Sequence, residues 1–418
     1  MLKGARQVGK TWLVREFGKT YRSFIEINFE RNPQFSSVFK VDLNPRRILN
    51  EVLDATGREY KPSETLLFFD EAQASPLAVK SLRYFYEELP DVHVICAGSL
   101  LEFVLDHIPT GVGRITYLDL CPMTLGEYLV AIGEERLRTK IQKQPLDEAL
   151  PEIHHHKLLR LLHQYMLVGG MPGVVNEYVA SQSFRRAHEA QRDLLRTLQD
   201  DFAKYAKSHQ MKYLDLLVRT IPLQLGSKFI FSRLGENVRS RDFSPPLELL
   251  EKARIVHKAI NSRADGIPLQ ARLNPRHFKV IMLDIGLTQN LMGVDLEEWV
   301  TGGVQKHVRG GPIAEAFVGQ ELTAYLNASV TNPLMYWHRE SSGSTAEVDY
   351  LVQLGNEIIP LEVKEGASGR MRSLHLFLRE KRGERGVRIS SKGFGFDGNI
   401  QNLPLYAVER LFAGRHNA

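Results

Sequence analysis

Eight residues near the start, GARQVGKT at positions 4–11, constrain this chain more than any others. Glycine, four residues, then Gly-Lys-Thr is the spacing of a loop that wraps phosphate. Its glycines let successive backbone N–H groups turn inward on anionic oxygens. The stretch that follows, TWLVREFG, reads as a helix whose positive N-terminal end faces the same charge. Gly4, Ala5, Arg6, Gln7, Val8 and Gly9 then form the cradle. Lys10 reaches the β- and γ-phosphates, and the Thr11 hydroxyl is a ligand for Mg²⁺. ATP and Mg²⁺ are the expected cofactors. Such a loop springs from the end of a buried strand, yet only Met1, Leu2 and Lys3 precede it. The expectation is a first strand cut short in a chain that starts late. A poorly filled gap beside the neighbouring strands and a weakened nucleotide site would follow.

A second motif follows at TLLFFDEAQ. Residues 66–69 are continuously apolar, the pattern of a strand buried on both faces of a parallel sheet. A carboxylate at the carboxyl end of such a strand lies over the ligand crevice. Asp70 is therefore expected to hold Mg²⁺ through water, and Glu71 to position and polarise the attacking water. HVICAGSLL supplies another buried strand over residues 93–98. Ser99 at its end is placed either to sense the γ-phosphate or to cap the next helix. IEINFE, residues 25–30, alternates and reads as a strand. In VGRI, residues 112–115, Arg114 either stabilises phosphoryl charge, in cis or across a subunit boundary, or makes a structural salt bridge.

GARQVGKT, LLFFDEAQ, LRYFYEELPDVHVICAGSLLEFVL and, further on, GGMPGVV and DDFAKY closely resemble a large prokaryotic family. Its members are AAA-type P-loop ATPases carrying a C-terminal domain of unknown function with a restriction-endonuclease-like fold. The resemblance covers essentially the whole chain. It implies an α/β multidomain protein. Residues 1–120 would be the P-loop ATPase core with its parallel sheet, and 121–206 a helical lid. Residues 207–275 would be a winged helix, and 276–418 an α/β restriction-endonuclease-like domain.

The residues themselves support that division. From Tyr117 to about Tyr205 apolar positions recur at three- and four-residue steps, as in LDEALPEIHHHKLLRLLHQYMLVGG, with Gly169-Gly170 as a stop. His154, His155 and His156 are consecutive and cannot share one helical face, so a solvated turn is a better reading than a metal site. The stretch from Met211 to Leu273 reads as helix, turn, helix and two strands. Its Arg233, Arg239, Arg241, Lys252 and Arg254 either contact nucleic-acid phosphates or are solvated.

Toward the C-terminus, IAEAFVGQELTAYL reads as an amphipathic helix carrying Glu315 and Glu321, followed by AEVDYLVQLGNEIIPLEVKEG as a hairpin. Asp349 falls on its first strand. Glu362 and Lys364, two apart, share one face of the second. Asp followed by Glu-x-Lys on a paired strand is the acidic pattern of the restriction-endonuclease-like superfamily. Asp349 and Glu362 would bind Mg²⁺, and Lys364 would orient or deprotonate water. The resemblance makes Glu315 the fourth residue. Downstream, GRMRSLHLFLREKRGERGVR is rich in Arg and Lys and suits a phosphate-facing surface. Asp284, in FKVIMLDIGL, reads as a strand-end residue without an assigned role.

Composition is ordinary for a globular chain: 43% hydrophobic and 25% charged residues, with a formal net charge of +5 that permits a nucleic-acid partner. No apolar run is long enough to span a bilayer, and the polar N-terminus reads as part of a motif, not as a signal peptide. Cys96 and Cys121 lie in apolar contexts and suit a reduced compartment, so the expected location is the cytoplasm. The expected function is ATP hydrolysis that controls a nuclease-like domain acting on DNA, in a chain that can form a homo-oligomer. The rival is a nucleotide-dependent switch that binds protein or DNA and cuts nothing.

Overall fold

The structure is a computed structural model that describes residues 1–105, 113–235, 239–294, 311–326, 333–340, 345–366 and 370–413. Val112 of VGRI and Gly369 at the head of the basic segment lie outside the described residues. Two compact units emerge. Met1–Cys121 with Lys252–Arg254 form the first, and Pro122–Glu251, Ile255–Leu326 and the described residues from 333 to 413 form the second.

In the first unit the elements run β1 (Leu2–Lys3), α1 (Lys10–Gly18), β2 (Ser23–Asn28), α2 (Val38–Val41), α3 (Pro45–Thr56), β3 (Thr65–Asp70), α4 (Pro76–Glu88), β4 (Val92–Cys96), α5 (Leu101–Leu105) and β5 (Leu118–Asp119). β2, β3 and β4 pair in parallel, as do β1 and β5. A parallel bridge from Leu2 to Ala97 joins the two sets, giving the order β2-β3-β4-β1-β5. The apolar run of β3 is buried along its whole length, as a strand with neighbours on both sides and cover on both faces must be. β2 alternates buried and half-buried positions. Phe29, Phe39 and Phe85 pack around Phe69 with ring centroids 5.5–6.1 Å apart, edge-on or tilted, and anchor one face of the sheet.

The short β1 is tied down at both ends. Met1 O accepts from Leu118 N at 2.9 Å and Lys3 O from Leu120 N at 2.8 Å. The amino group of Met1 donates to Thr116 O at 2.7 Å, and Lys3 Nζ pairs with Glu102 at 2.8 Å. Along the flank of β4, among the described residues, the backbone pairing of β1 is a single bridge from Leu2 to Ala97, and there His93 is exposed while Val94 and Ile95 are half-buried.

Helices open the second unit: α6 (Leu125–Ala131), α7 (Glu135–Lys143), α8 (Glu152–Val168), α9 (Pro172–Ser181), α10 (Phe184–Asp200), α11 (Ser208–Thr220) and α12 (Ser240–Lys252). Then come β6 (Val256–Ser262), β7 (Leu273–Met282), α13 (Ile285–Leu291), α14 (Gly311–Leu326), β8 (Leu334–His338), β9 (Glu347–Leu354), β10 (Glu357–Val363), α15 (Arg372–Lys381), β11 (Gly386–Ser390), β12 (Gly395–Asp397) and β13 (Ile400–Pro404). All eight strands form one mixed sheet in the order β12-β13-β11-β10-β9-β8-β6-β7. β9 runs antiparallel to both its neighbours, β8 and β10, and β11 returns parallel to β10 after the crossover helix α15.

Two features differ from the sequence reading. β6 and β7, there assigned to a winged helix ending at residue 275, belong to the large sheet. β6 pairs with β8, and residue 275 falls inside β7. Strand pairing across that distance is a tertiary choice that local pattern does not carry. In addition α14, read as amphipathic, is buried on all sides from Ala314 through Thr323. Its polar residues are satisfied internally: Gln320 Nε2 donates to the Tyr165 hydroxyl at 2.7 Å, and Glu321 Oε1 accepts from Leu125 N at 2.9 Å. Burial pushes the Glu321 carboxyl up to about 8, so it is protonated at neutral pH.

Asp284 acquires a role. It caps α13, with Oδ1 accepting from Leu287 N at 2.9 Å and Oδ2 from Gly170 N at 2.6 Å. This accounts for the paired glycines of GGMPGVV. A Cβ on Gly169 would stand 2.2 Å from Asp284 Oδ1, and one on Gly170 would stand 2.1 Å from Met123 O.

Candidate functional site

The phosphate loop lies between β1 and α1. Gly4 has φ +150°, and a Cβ there would meet Leu120 O at 2.4 Å. Gln7 and Gly9 also have positive φ, and Gly9 sits at the N-cap of α1 with no side chain covering the helix end. Ala5 and Val8 are buried beneath the loop, Arg6 is half-buried and Gln7 is exposed. The result is a turn whose N–H groups and helix terminus form an anion cradle.

Lys10 is buried, and its ammonium donates to Gly4 O at 3.0 Å and Ala5 O at 2.7 Å, within the loop itself. Burial pulls its pKa down to about 8 against the raising influence of Glu71 and Asp70. Thr11 Oγ1 donates to both oxygens of Asp70, at 3.1 and 3.2 Å, which brings the two expected Mg²⁺-binding residues together from α1 and β3. Asp70 is nearly fully buried, and burial first, then the neighbouring Glu71 charge, raises its pKa. A hydroxyl and a carboxylate side by side at a phosphate loop are hard oxygen donors that fit Mg²⁺, which keeps several of its waters. When bound, the ion neutralises charge on the phosphates.

Glu71 follows in a left-handed conformation, φ 49°, and its Oε2 accepts from Gln73 Nε2 at 2.6 Å. Ser99 is buried two residues ahead of α5. Arg114 is engaged with Glu87, its Nε donating to Oε1 at 2.6 Å. Sequence reasoning passed over Asn28, which donates to Asp70 Oδ2 at 2.9 Å from the position directly opposite it on β2. It also missed Gln73. Gln73 closes the TLLFFDEAQ motif without having been given a role there, and only the strand register puts Asn28 beside the carboxylate.

In the second unit Glu315, Asp349 and Lys364 line a cleft of about 410 Å³, together with Gly226 and Pro312 among others. Lys364 Nζ pairs with Glu362 Oε1 at 2.7 Å, and Asp349 Oδ2 accepts from Val363 N at 2.7 Å. A lysine outside every motif joins them. Lys279 Nζ stands 2.7 Å from Glu315 Oε1, 2.5 Å from Glu347 Oε1 and 3.9 Å from Asp349 Oδ1. Burial pulls its pKa down, but the charges of Glu315, Glu347 and Asp349 outweigh this and hold it above the ordinary lysine range. One clue was legible: Lys279 interrupts the apolar run FKVIML, and a charge inside a buried strand calls for a counter-charge. Among the described residues, no group of three or more His, Cys, Asp or Glu is placed to hold a metal ion. In the cluster as it stands the carboxylates of Glu315, Glu347 and Glu362 are ion-paired with lysines of this chain.

The arginines and lysines of the middle segment divide. Arg233, Arg239 and Arg241 are exposed, whereas Arg254 is half-buried and ion-paired with Glu102 and Asp119. His155 shares a hydrogen bond of 2.8 Å with the Tyr406 hydroxyl, and His156 lies 3.9 Å from Glu152 on its own helix.

Residues 1–129 match the AAA domain family. Residues 159–298 and 310–408 match two families described as domains of unknown function, DUF8612 and DUF4143, and the first of these spans cross the divisions expected at 206 and 275. Among solved structures the chain is similar to the Walker-type ATPase paby2304 of Pyrococcus abyssi, with 20% identity, 70% of this chain and 90% of that one covered, and a TM-score of 0.43. It is also similar to protein VC1899 from Vibrio cholerae, with 11% identity, 91% and 80% covered, and a TM-score of 0.20. No curated protein matches the chain. By the family match, residues 1–129 carry an AAA domain. Among the described residues no helix is long and apolar enough to cross a membrane.

Proposed function

We propose that the protein hydrolyses ATP with Mg²⁺ and that this cycle governs its second unit. The observation that carries the reading is the contact of Thr11 with Asp70 beside the buried Lys10, at the carboxyl end of a parallel sheet. In this assignment the loop N–H groups and Lys10 hold the phosphates, and Thr11 and Asp70 hold the ion. Glu71 orients the attacking water once Gln73 releases it, and Ser99 is placed near the terminal phosphate. Lys10→Ala is expected to lose most nucleotide affinity, because a charge-assisted contact disappears. Glu71→Gln should bind ATP normally yet turn it over at least 100-fold more slowly, since the residue acts on water. Hydrolysis at the parent rate by Glu71→Gln would remove Glu71 from the catalytic role.

The second unit is read as restriction-endonuclease-like and as the nucleic-acid-binding part, with DNA the expected partner. Supporting this is the succession α14, three antiparallel strands, α15 and a parallel fourth strand, with Asp349 and Lys364 lining one cleft and Glu362 ion-paired with Lys364. The alternative, a nucleotide-dependent switch that cuts nothing, is favoured by the Lys279 ammonium among the carboxylates. Incubating supercoiled DNA, single-stranded DNA and RNA with Mg²⁺ or Mn²⁺, with and without ATP, separates the two.

A further inference from the structure

The carboxylates that a nuclease would turn on a metal are already engaged with groups of this chain. Glu315 Oε1 takes the ammonium of Lys279, as does Glu347 Oε1, and Asp349 Oδ1 faces the same nitrogen from 3.9 Å. The other Asp349 oxygen accepts from Val363 N, and Glu362 Oε1 is held by Lys364 while its Oε2 is buried with no hydrogen bond among the described residues. The Lys279 side chain is only 3% exposed and reaches the cluster from β7, with its nitrogen 5.1 Å from the centre of the Tyr336 ring. Carboxylates on α14 and β9 and the ring on β8 thus converge on one fixed cation, whose N–H groups donate to them. A divalent ion entering between Asp349 and Glu362 would sit against two ammonium groups and would have to break the pairs that neutralise them.

We propose that Lys279 supplies, as a permanent part of the chain, the positive charge that a divalent metal would supply in a nuclease, so that the second unit engages its partner without cutting it. This rests on the reading of that unit as nuclease-like, and it selects between the two outcomes of that reading. The lysine offsets part of the negative charge gathered there, with no cation taken from solution.

The test counts Mn²⁺ by electron paramagnetic resonance on the full-length chain without nucleotide. Parent and Asp349→Asn should bind the same number of ions. Lys279→Met, which keeps the length of the side chain and removes its charge, should gain one Mn²⁺ per chain, and Asp349→Asn in that background should lose it. Its melting temperature should fall without metal and recover with it. An ion bound by the parent and lost in Asp349→Asn would overturn the proposal. So would a folded Lys279→Met that gains none, or cleavage by the parent that Asp349→Asn abolishes. If Lys279→Met does not fold, the comparison of parent with Asp349→Asn still decides. Nucleic-acid binding is measured separately by fluorescence anisotropy. Its loss would count against the nuclease-like reading, while the Mn²⁺ count addresses Lys279 in either case.

Discussion

Lys10 is a charged group kept in a buried place, and nucleotide phosphates favour its protonated form. Because its pKa is drawn down to about 8 in the free protein, ATP binding should take up a proton above that pH. Affinity is expected to fall as pH rises through 8, approaching about tenfold per unit, and calorimetry in buffers of different ionisation enthalpy should register the proton. Asp284 behaves in the opposite sense. Burial raises its carboxyl from 3.8 to about 6, so the folded state holds the proton more tightly than the unfolded chain does. The stability this gives is fully present below the unfolded value and is lost as pH rises through the folded one. The amount is roughly 3 kcal/mol between about pH 4 and 6. In urea titrations Asp284→Asn should flatten that part of the pH profile. An unchanged slope would mean that the carboxylate titrates alike in both states.

At the scale of elements, the turn after α8 shows how a short motif encodes a long-range contact. Gly169 has φ +76°, a conformation costly for any residue with a Cβ, and the space a Cβ needs is taken by Asp284. Gly169→Ala is therefore expected to cost about 3 kcal/mol, from strain plus overpacking, read as a lower urea midpoint with an unchanged m-value. A loss below about 1 kcal/mol would show that the turn can shift away from α13. The double glycine was visible in the sequence as a helix stop. That it also receives the cap of α13 was not, because the cap lies more than a hundred positions away.

For the whole molecule, a positive balance of +5 and exposed Arg233, Arg239, Arg241, Arg370, Arg372 and Arg379 suit association with a polyanion. If about three phosphates are neutralised, binding of a labelled duplex should weaken roughly 30-fold to 50-fold between about 50 and 200 mM salt. Salt-independent binding would exclude a phosphate-led contact. Asp349 and Glu362 belong to a different unit from Lys10 and Glu71. Asp349→Asn and Glu362→Gln should accordingly leave ATP turnover within about twofold of the parent.

Sequence alone determined the phosphate loop, the apolar strand ending in Asp70, the β9–β10 hairpin and the place of Glu362 and Lys364 on one face at the end of β10. Each depends on residues close together in the chain, where spacing and period fix direction. Tertiary structure alone decided which strand lies beside which. It put Asn28 opposite Asp70, carried β6 and β7 into the large sheet, enclosed α14 on every side and set Lys279 among the carboxylates of α14 and β9. Periodicity reports that a face is buried but not what buries it, and a lone lysine in an apolar strand states a need for counter-charge without naming its source.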